Sequence, residues 1–434
     1  MTRKRVLIVA HDFPPRGGGA AMRVVKFVKY LPAFGWEPII LTRQEGYFPS
    51  WVHDPSLLGD LPADLVVHRT RSLARRVGDP PARTDGDGRI RRWMQRWILW
   101  RLSHASIFGD WGFCWLPFAI PAIRRILRST RIDAILTTSP PHNVHLLGLW
   151  AQRVGGCAWV ADFRDGWTRD PLFQARLAAR NALERRLERI VVARADFVVS
   201  TTEQIDTWFR TDYGATYADK AAIIFNGFDP ADYDVSVAGT QRTEGPLRIV
   251  HAGSLTSDRD IGPFLTVIGE LAEQAEGAHD GIEVEFVGLM PDQARRQAMR
   301  TPGVTITPHQ PHAVAIQKMR DADVLMVIPG TLGRTALTGK LFEYMAARRP
   351  ILALTSPGRL TSLIETERLG WAVPPDDVEG IRSVLVEIRS RRSKIDLDGI
   401  GASPELLARF DRRRLTQTLA ELLTRASEAR SPRR

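Results

Sequence analysis

"RVLIVAHDFPPRGGGAAMRVVKFVKYL" (residues 5–31) is the stretch on which the fold turns. It opens with "RVLIVA" (5–10), an apolar, β-branched run of the kind that is buried in a parallel sheet. After Gly17, Gly18 and Gly19, the residues Val24, Val25, Phe27, Val28 and Leu31 recur at helical spacing. The glycines therefore stand at a strand-to-helix turn. There, missing side chains let backbone N–H groups approach a ligand, and a helix N-terminus favours an anion. A tight turn without a ligand explains the same residues, and "RGGGAAM" does not follow the dinucleotide pattern G-x-G-x-x-G.

The alternation continues outward from this unit. Strand-like runs follow at 37–42, 64–69, 132–138, 157–163 and 195–202, with helical stretches between most of them, such as 172–193. This is the βαβ rhythm of an open parallel sheet. It pauses in the polar, turn-rich segment 233–246, read as a linker, and resumes with strands at 247–253, 282–288, 303–308, 322–328 and 350–355. A last amphipathic helix is expected from Ser403 as N-cap with Pro404 at its first position, with Leu406, Leu407, Phe410, Leu415, Leu419, Leu422 and Leu423 as its apolar positions. The expected division is a domain over 1–235, a second over 236–402, and a C-terminal helix with a basic tail over 403–434 that packs back on the first domain. Two facing doubly wound units would form a cleft at the carboxyl ends of their strands.

Composition narrows the class. The 434 residues suffice for two domains, and 44% hydrophobic with 25% charged residues are globular values. Two cysteines, Cys114 and Cys157, make no disulfide framework and fit a reducing compartment. No run of ~18 apolar residues is present, and the apolar start is too short for a secretory leader, so a cytoplasmic protein is expected. The net charge of +11 favours an anionic partner: nucleic acid, acidic lipid or a phosphorylated small molecule. Basic residues are spread along the chain without an interleaved aromatic recognition motif, which argues against nucleic acid.

The sharper signals lie in the second half. "GRTALTGKLFEYMAARRPILAL" (333–354) fails as a nucleotide-hydrolysing phosphate loop: five residues separate Gly333 from Gly339, and Leu341 stands where Ser or Thr would follow Lys340. What remains is a turn, Thr338-Gly339-Lys340, opening a helix. Lys340 in the first turn can meet a diphosphate together with free backbone N–H groups, and Glu343 can accept hydrogen bonds from hydroxyls such as a ribose. Arg259, in the loop after the strand at 247–253, is placed to clamp the same diphosphate. An ordinary helix start and solvated surface charges are the competing readings.

Taken in order, "VLIVAHDFPPRGGGAAMRV", "TTSPPHNVHLLGLWAQRVGGCAWVADFRDGW", "ADFVVSTTE", "FNGFDP", "IVHAGSL…DRDIGPFL", "VEFVGL", "RDADVLMVIPG" and "TGKLFEYMAARRPILAL" resemble a retaining glycosyltransferase of family 4, of GT-B fold. The resemblance spans some 350 residues. It implies two facing Rossmann-like domains, the second binding a nucleoside diphosphate-sugar through Ser254, Arg259, Thr338, Gly339, Lys340, Leu341 and Glu343. Gly17, Gly18 and Gly19 would reach the donor phosphates and border the acceptor. Three positions depart from the family pattern. Thr335 stands where a second glutamate is common, Ser254 where many members have arginine, and Thr138 where many have histidine. His142 or His145 is the candidate to fill that last place.

Chemistry and acceptor follow as expectations. Arg259, Lys340 and helix N-termini would stabilise the departing diphosphate, with no cofactor and no metal. In "ADFRDGW" (161–167) Asp165 is the candidate to orient or deprotonate an acceptor hydroxyl, and Arg164 and Arg16 are candidates to meet an acceptor phosphate. A structural Arg–Asp pair is the alternative. Residues 89–115 hold five of the 12 tryptophans; Trp93, Trp97 and Trp100 repeat at i, i+4, i+7 beside Arg89, Arg92 and Arg96. Such a helix suits either a membrane interface or a domain core. The expected enzyme moves a hexose from a nucleotide sugar to a glycan or polyprenyl-linked acceptor in envelope or exopolysaccharide synthesis, at the inner membrane face. A sugar-nucleotide epimerase or hydrolase of this fold and a non-catalytic basic binding protein are the alternatives.

Overall fold

Two parallel sheets organise the protein, whose computed structural model describes residues 3–44, 53–72, 111–170, 178–233, 245–256, 258–275, 281–329, 337, 339–392 and 400–430. The chain divides into one compact unit of Met1–Phe225 with Leu415–Arg434 and another of Asn226–Arg414. The division after Phe225 falls ten residues before the boundary expected from sequence, and the second unit runs on to Arg414. Most of the expected linker, 234–244, lies outside the described residues.

In the first unit the strands are β1 (Lys4–Ala10), β2 (Trp36–Arg43), β3 (Val66–Thr70), β4 (Ala134–Ser139), β5 (Ala158–Phe163), β6 (Phe197–Ser200) and β7 (Ala221–Ile223). They pair in the order β3-β2-β1-β4-β5-β6-β7, all parallel. β1 is central, which is why its sequence is apolar on both faces. Val6, Ile8 and Ala10 belong to one core cluster, and Leu7 and Val9 to the cluster on the opposite face.

The C-terminal helix does pack back on this unit. Leu419, Leu422, Leu423 and Ala426 share a core cluster with Val6, Ile8 and Trp36. Trp36 Nε1 donates to Thr424 Oγ1 (3.2 Å), and Arg430 pairs with Asp196 (2.8 Å). The single helix expected from Ser403 is two. Pro404–Arg409 is capped by the Ser403 hydroxyl, as the sequence predicts, and ends where Asp411 bridges to Phe228. Asp411 then caps the second, Arg412–Arg430, its carboxylate accepting from Arg413 N (2.7 Å). A pairing with a residue distant in sequence interrupts the apolar period.

The second unit holds β8 (Leu247–Ala252), β9 (Ile282–Val287), β10 (Val304–Thr307), β11 (Val324–Val327), β12 (Ile351–Leu354) and β13 (Gly370–Val373) in the order β10-β9-β8-β11-β12-β13, again parallel. Strand order reverses between β8 and β11, as it does between β1 and β4 in the first unit. In open α/β sheets the carboxyl ends at such a reversal are where ligands bind. Sequence reading misses β7 and β13. Both are short edge strands, "AAI" and "GWAV", with too few β-branched residues to stand out.

Candidate functional site

At the β8/β11 reversal the two expected cations meet. Lys340, in the first turn of the helix Gly339–Ala346, places Nζ 3.1 Å from the Ser254 carbonyl oxygen. Arg259 Nη1 donates to that same oxygen at 3.2 Å. Arg259 Nε is buried and has no hydrogen-bond partner. Two positive groups therefore share one neutral acceptor, beside a donor that a ligand's oxygen would satisfy. Burial, then the charge of Arg259, pushes the Lys340 pKa down to about 7, against the pull of Glu343. Burial also lowers Arg259, with Asp258 opposing.

The local sequence explains this placement. Gly253 follows β8 with φ +123°, a conformation that side-chain-bearing residues rarely adopt. A Cβ there would lie 2.1 Å from Lys340 Cε, so this glycine is the floor on which the lysine lies. Gly253→Ala is expected to lose about 1–3 kcal/mol through backbone strain and to displace the lysine, whose flexible end yields before the backbone does. Urea unfolding and amine-reactive labelling of Lys340 check this; unchanged stability with unchanged labelling would refute it.

Around the pair, Tyr344 is fully buried, and its hydroxyl bonds both Ala252 N (2.8 Å) and Ala252 O (3.3 Å), fixing the end of β8. Glu343 is half-buried, and its charge contributes to pushing the buried Tyr233 phenol well above its ordinary pKa, after burial itself. Leu341 is fully buried, so its backbone alone is available to a ligand. Gly339 opens the helix with nothing within 4 Å of where a Cβ would stand. Thr338 and Thr335 lie outside the described residues. Asp323, just before β11, is an internal strand tie, its carboxylate accepting from Arg248 N (2.8 Å).

At the β1/β4 reversal of the first unit the outcome is mixed. Gly18 has φ +91° and precedes the helix Gly19–Tyr30; Gly18 and Gly19 face open space, while Gly17 is buried. Arg16 pairs with Asp12 (2.7 Å). Burial works against the Asp12 charge, but the His11 hydrogen bond and the charges of His11, Arg16 and Arg164 outweigh it and hold the carboxyl at about 2. Arg164 spends two nitrogens on backbone carbonyls, Nε on Ser139 O (2.8 Å) and Nη2 on Pro140 O (2.7 Å). That makes it chiefly a clamp between two strand ends. Asp165 keeps solvent contact, yet protein crowded around its carboxyl pushes its pKa up, with Arg164 opposing.

Neither candidate histidine reaches solvent. His142 stacks on Trp167 (5.5 Å, 11°), and its Nε2 faces Asp165 O at 3.3 Å. His145 Nδ1 bonds Thr137 Oγ1 (2.8 Å) against the Phe163 ring. Burial pushes His142 down to about 3 and His145 well below the ordinary value, so both rings are neutral packing elements at pH 7. The histidine expected to replace Thr138 is therefore not supplied by either. Thr138 instead donates to Asp162 Oδ2 (2.7 Å).

Sequence reading passes over a buried ion pair of this unit. Arg23 and Asp162, each 1% exposed, form a bidentate pair (Nε–Oδ2 3.1 Å, Nη2–Oδ1 2.8 Å). The guanidinium also donates to Ile224 O and Phe225 O, both at 2.9 Å. The one available signal was Arg23 standing four residues before Phe27, on the buried helix face, where its guanidinium lies 4.8 Å from the Phe27 ring.

Of the tryptophan-rich segment, 89–110 lies outside the described residues. Trp115 belongs to the core: it is fully buried and its Nε1 donates to Thr70 Oγ1 (2.7 Å). No helix among the described residues is long and apolar enough to cross a membrane.

Two family models match the chain: Glycosyl transferase 4-like domain over residues 18–227 and Glycosyl transferases group 1 over 246–390. No curated protein is similar in sequence. Solved structures are similar over nearly the whole chain. HepE from Anabaena, in complex with UDP and glucose, is 15% identical with a TM-score of 0.61, covering 97% of this chain and 100% of that one. Sucrose-phosphate synthase from Thermosynechococcus elongatus is 16% identical, TM-score 0.63, covering 98% and 100%. An α,α-trehalose-phosphate synthase (UDP-forming) from Burkholderia xenovorans, in complex with glucose-6-phosphate, is 14% identical, TM-score 0.59, covering 97% and 100%. At these identities the likeness is one of fold.

Proposed function

Because this chain belongs to the glycosyltransferases of the GT-B fold, we propose that it moves a sugar, with retention at the anomeric carbon, from a nucleoside diphosphate-sugar to a glycan or polyprenyl-linked acceptor. One observation carries the donor half: Lys340 Nζ and Arg259 Nη1 converge on Ser254 O at the β8/β11 reversal, next to the unsatisfied Arg259 Nε–H. A diphosphate oxygen there gains two charge-assisted hydrogen bonds and relieves a buried orphan donor. As the glycosidic bond breaks, charge grows on that diphosphate, and fixed cations stabilise it more in the transition state than in the ground state. Glu343 is the group for the ribose hydroxyls.

On the acceptor side, Asp165 is the candidate to take or orient the hydroxyl proton. Its raised pKa brings it nearer neutrality, where a general base works best. Arg16 and the open Gly18–Gly19 turn are the candidate contacts for anionic groups; Arg164 acts by fixing Asp165 in place, as does His142 through the Asp165 carbonyl. The reading extends to envelope or exopolysaccharide synthesis at the inner membrane face, and to turnover without metal, since the cations of the chain meet the leaving group.

Thermal unfolding with UDP, GDP, ADP, dTDP and their glucose conjugates, all in EDTA, tests the donor half. A ligand binding only the folded state at 100 times its Kd stabilises by about 2.7 kcal/mol, so one base series should raise Tm. If no nucleoside diphosphate protects, the reading fails; if protection appears only after Mg²⁺ is added, the metal-free part fails.

A further inference from the structure

A histidine that no motif flags holds the lysine of this site. His251 lies in β8, is 1% exposed, and places Nδ1 2.8 Å from Met326 O on β11. A carbonyl oxygen only accepts, so Nδ1 carries the proton. A neutral imidazole then has a lone pair at Nε2, and Nε2 lies 3.2 Å from Lys340 Nζ. The ring is neutral at pH 7: burial, then the charges of Lys340 and Arg259, push its pKa well down, against the hydrogen bond to Met326 O.

An ammonium group has three N–H donors. Lys340 directs one to His251 Nε2 and one to Ser254 O, which leaves one for a ligand. We propose that His251 is a positioning residue: its Nε2 lone pair and the Ser254 carbonyl together hold Lys340 so that its third N–H is presented to the donor's diphosphate. The proposal rests on the donor-binding reading above. Its physical basis is the freedom of an unrestrained lysine, whose side chain carries ~2 kcal/mol of rotamer entropy. Ordering that chain before the ligand arrives removes part of this cost from binding. A second consequence is selectivity for the tautomer: only the Nδ1–H form both satisfies Met326 O and accepts from the lysine.

The competing view is that His251 merely fills space against Phe286, whose ring centroid is 6.0 Å away. Two amide substitutions separate the roles of the ring nitrogens. The side chain of His251→Asn reaches the position of Nδ1, keeps a donor for Met326 O, and leaves Lys340 without its acceptor. That of His251→Gln reaches the position of Nε2 and offers Oε1 to Lys340. UDP titration calorimetry is run on the full chain with wild type, both variants, Lys340→Ala, and Lys340→Ala combined with His251→Asn.

The expected result is that His251→Asn weakens UDP about tenfold, the scale of one charge-assisted hydrogen bond, while His251→Gln recovers most of that loss. In the Lys340→Ala background, His251→Asn should change affinity less than about twofold, because a residue acting through another has nothing left to position. Equal losses in Asn and Gln, or the full His251→Asn loss persisting without Lys340, would overturn the positioning role and leave packing as the explanation. A Lys340→Ala protein that binds UDP like wild type would instead bring down the donor reading itself. Thermal unfolding of each variant verifies folding, and His251→Leu repeats the cycle should the asparagine variant be unfolded.

Discussion

Lys340→Ala is expected to slow release of nucleotide from the donor by about 10²–10³-fold, the scale of removing one preorganised donor from a developing anion. Arg259 stays in place on Ser254 O, so substrate is still held but more weakly, and the loss should fall on kcat and on donor affinity together. Lys340→Arg should not rescue it. The lysine lies where even a Cβ on Gly253 would collide, and a planar guanidinium is bulkier than an ammonium. Turnover within fivefold of wild type in the alanine variant would remove the lysine from the chemistry.

The same lysine gives opposite pH trends for binding and for stability. With its pKa pushed down to about 7, Lys340 loses its proton in the free protein across the neutral range, while a bound diphosphate favours the charged form. Diphosphate affinity should therefore fall as pH rises above 7, by up to about tenfold per unit, with proton uptake on binding. For folding the sign reverses. A lysine whose folded pKa is depressed contributes stability that is present above its unfolded pKa of ~10.4 and is lost as pH falls towards 7. Calorimetry in buffers of different ionisation enthalpy reads the proton uptake. Absence of uptake at pH 8 would contradict the lowered pKa.

The second large effect is expected in the first unit, from Arg23→Met. Removing the guanidinium leaves the Asp162 carboxylate, 1% exposed, with the Thr138 hydroxyl but without its counter-ion, and takes a donor from Ile224 O and Phe225 O. Breaking a buried ion pair in this way costs about 3–5 kcal/mol. Combining Arg23→Met with Asp162→Leu should recover part of that, since no charge is then left unpaired. Hydrogen exchange at the amides of β1 and β5 reports this unit specifically, and UDP binding by the other unit should persist. A loss under 1 kcal/mol for the single variant would show that the pair is solvated.

Much of this protein was legible from its order of residues. Both sheets, eleven of the thirteen strands among the described residues, the Ser403 cap and the return of the C-terminal helix to the first unit follow from apolar periodicity and turn chemistry, because burial and backbone geometry act over a few neighbouring residues. The meeting of the two cations Lys340 and Arg259 was legible for the same reason: each stands at the end of a strand-to-helix turn, a place that local pattern identifies. The tertiary structure decided the partners. Arg23 with Asp162, His251 with Lys340, and Asp411 with Phe228 join residues 139, 89 and 183 positions apart. It also moved His142 and His145 from candidate catalysts to core. A side chain's charge state and role depend on which groups face it across a packed interior, and no local pattern contains that information.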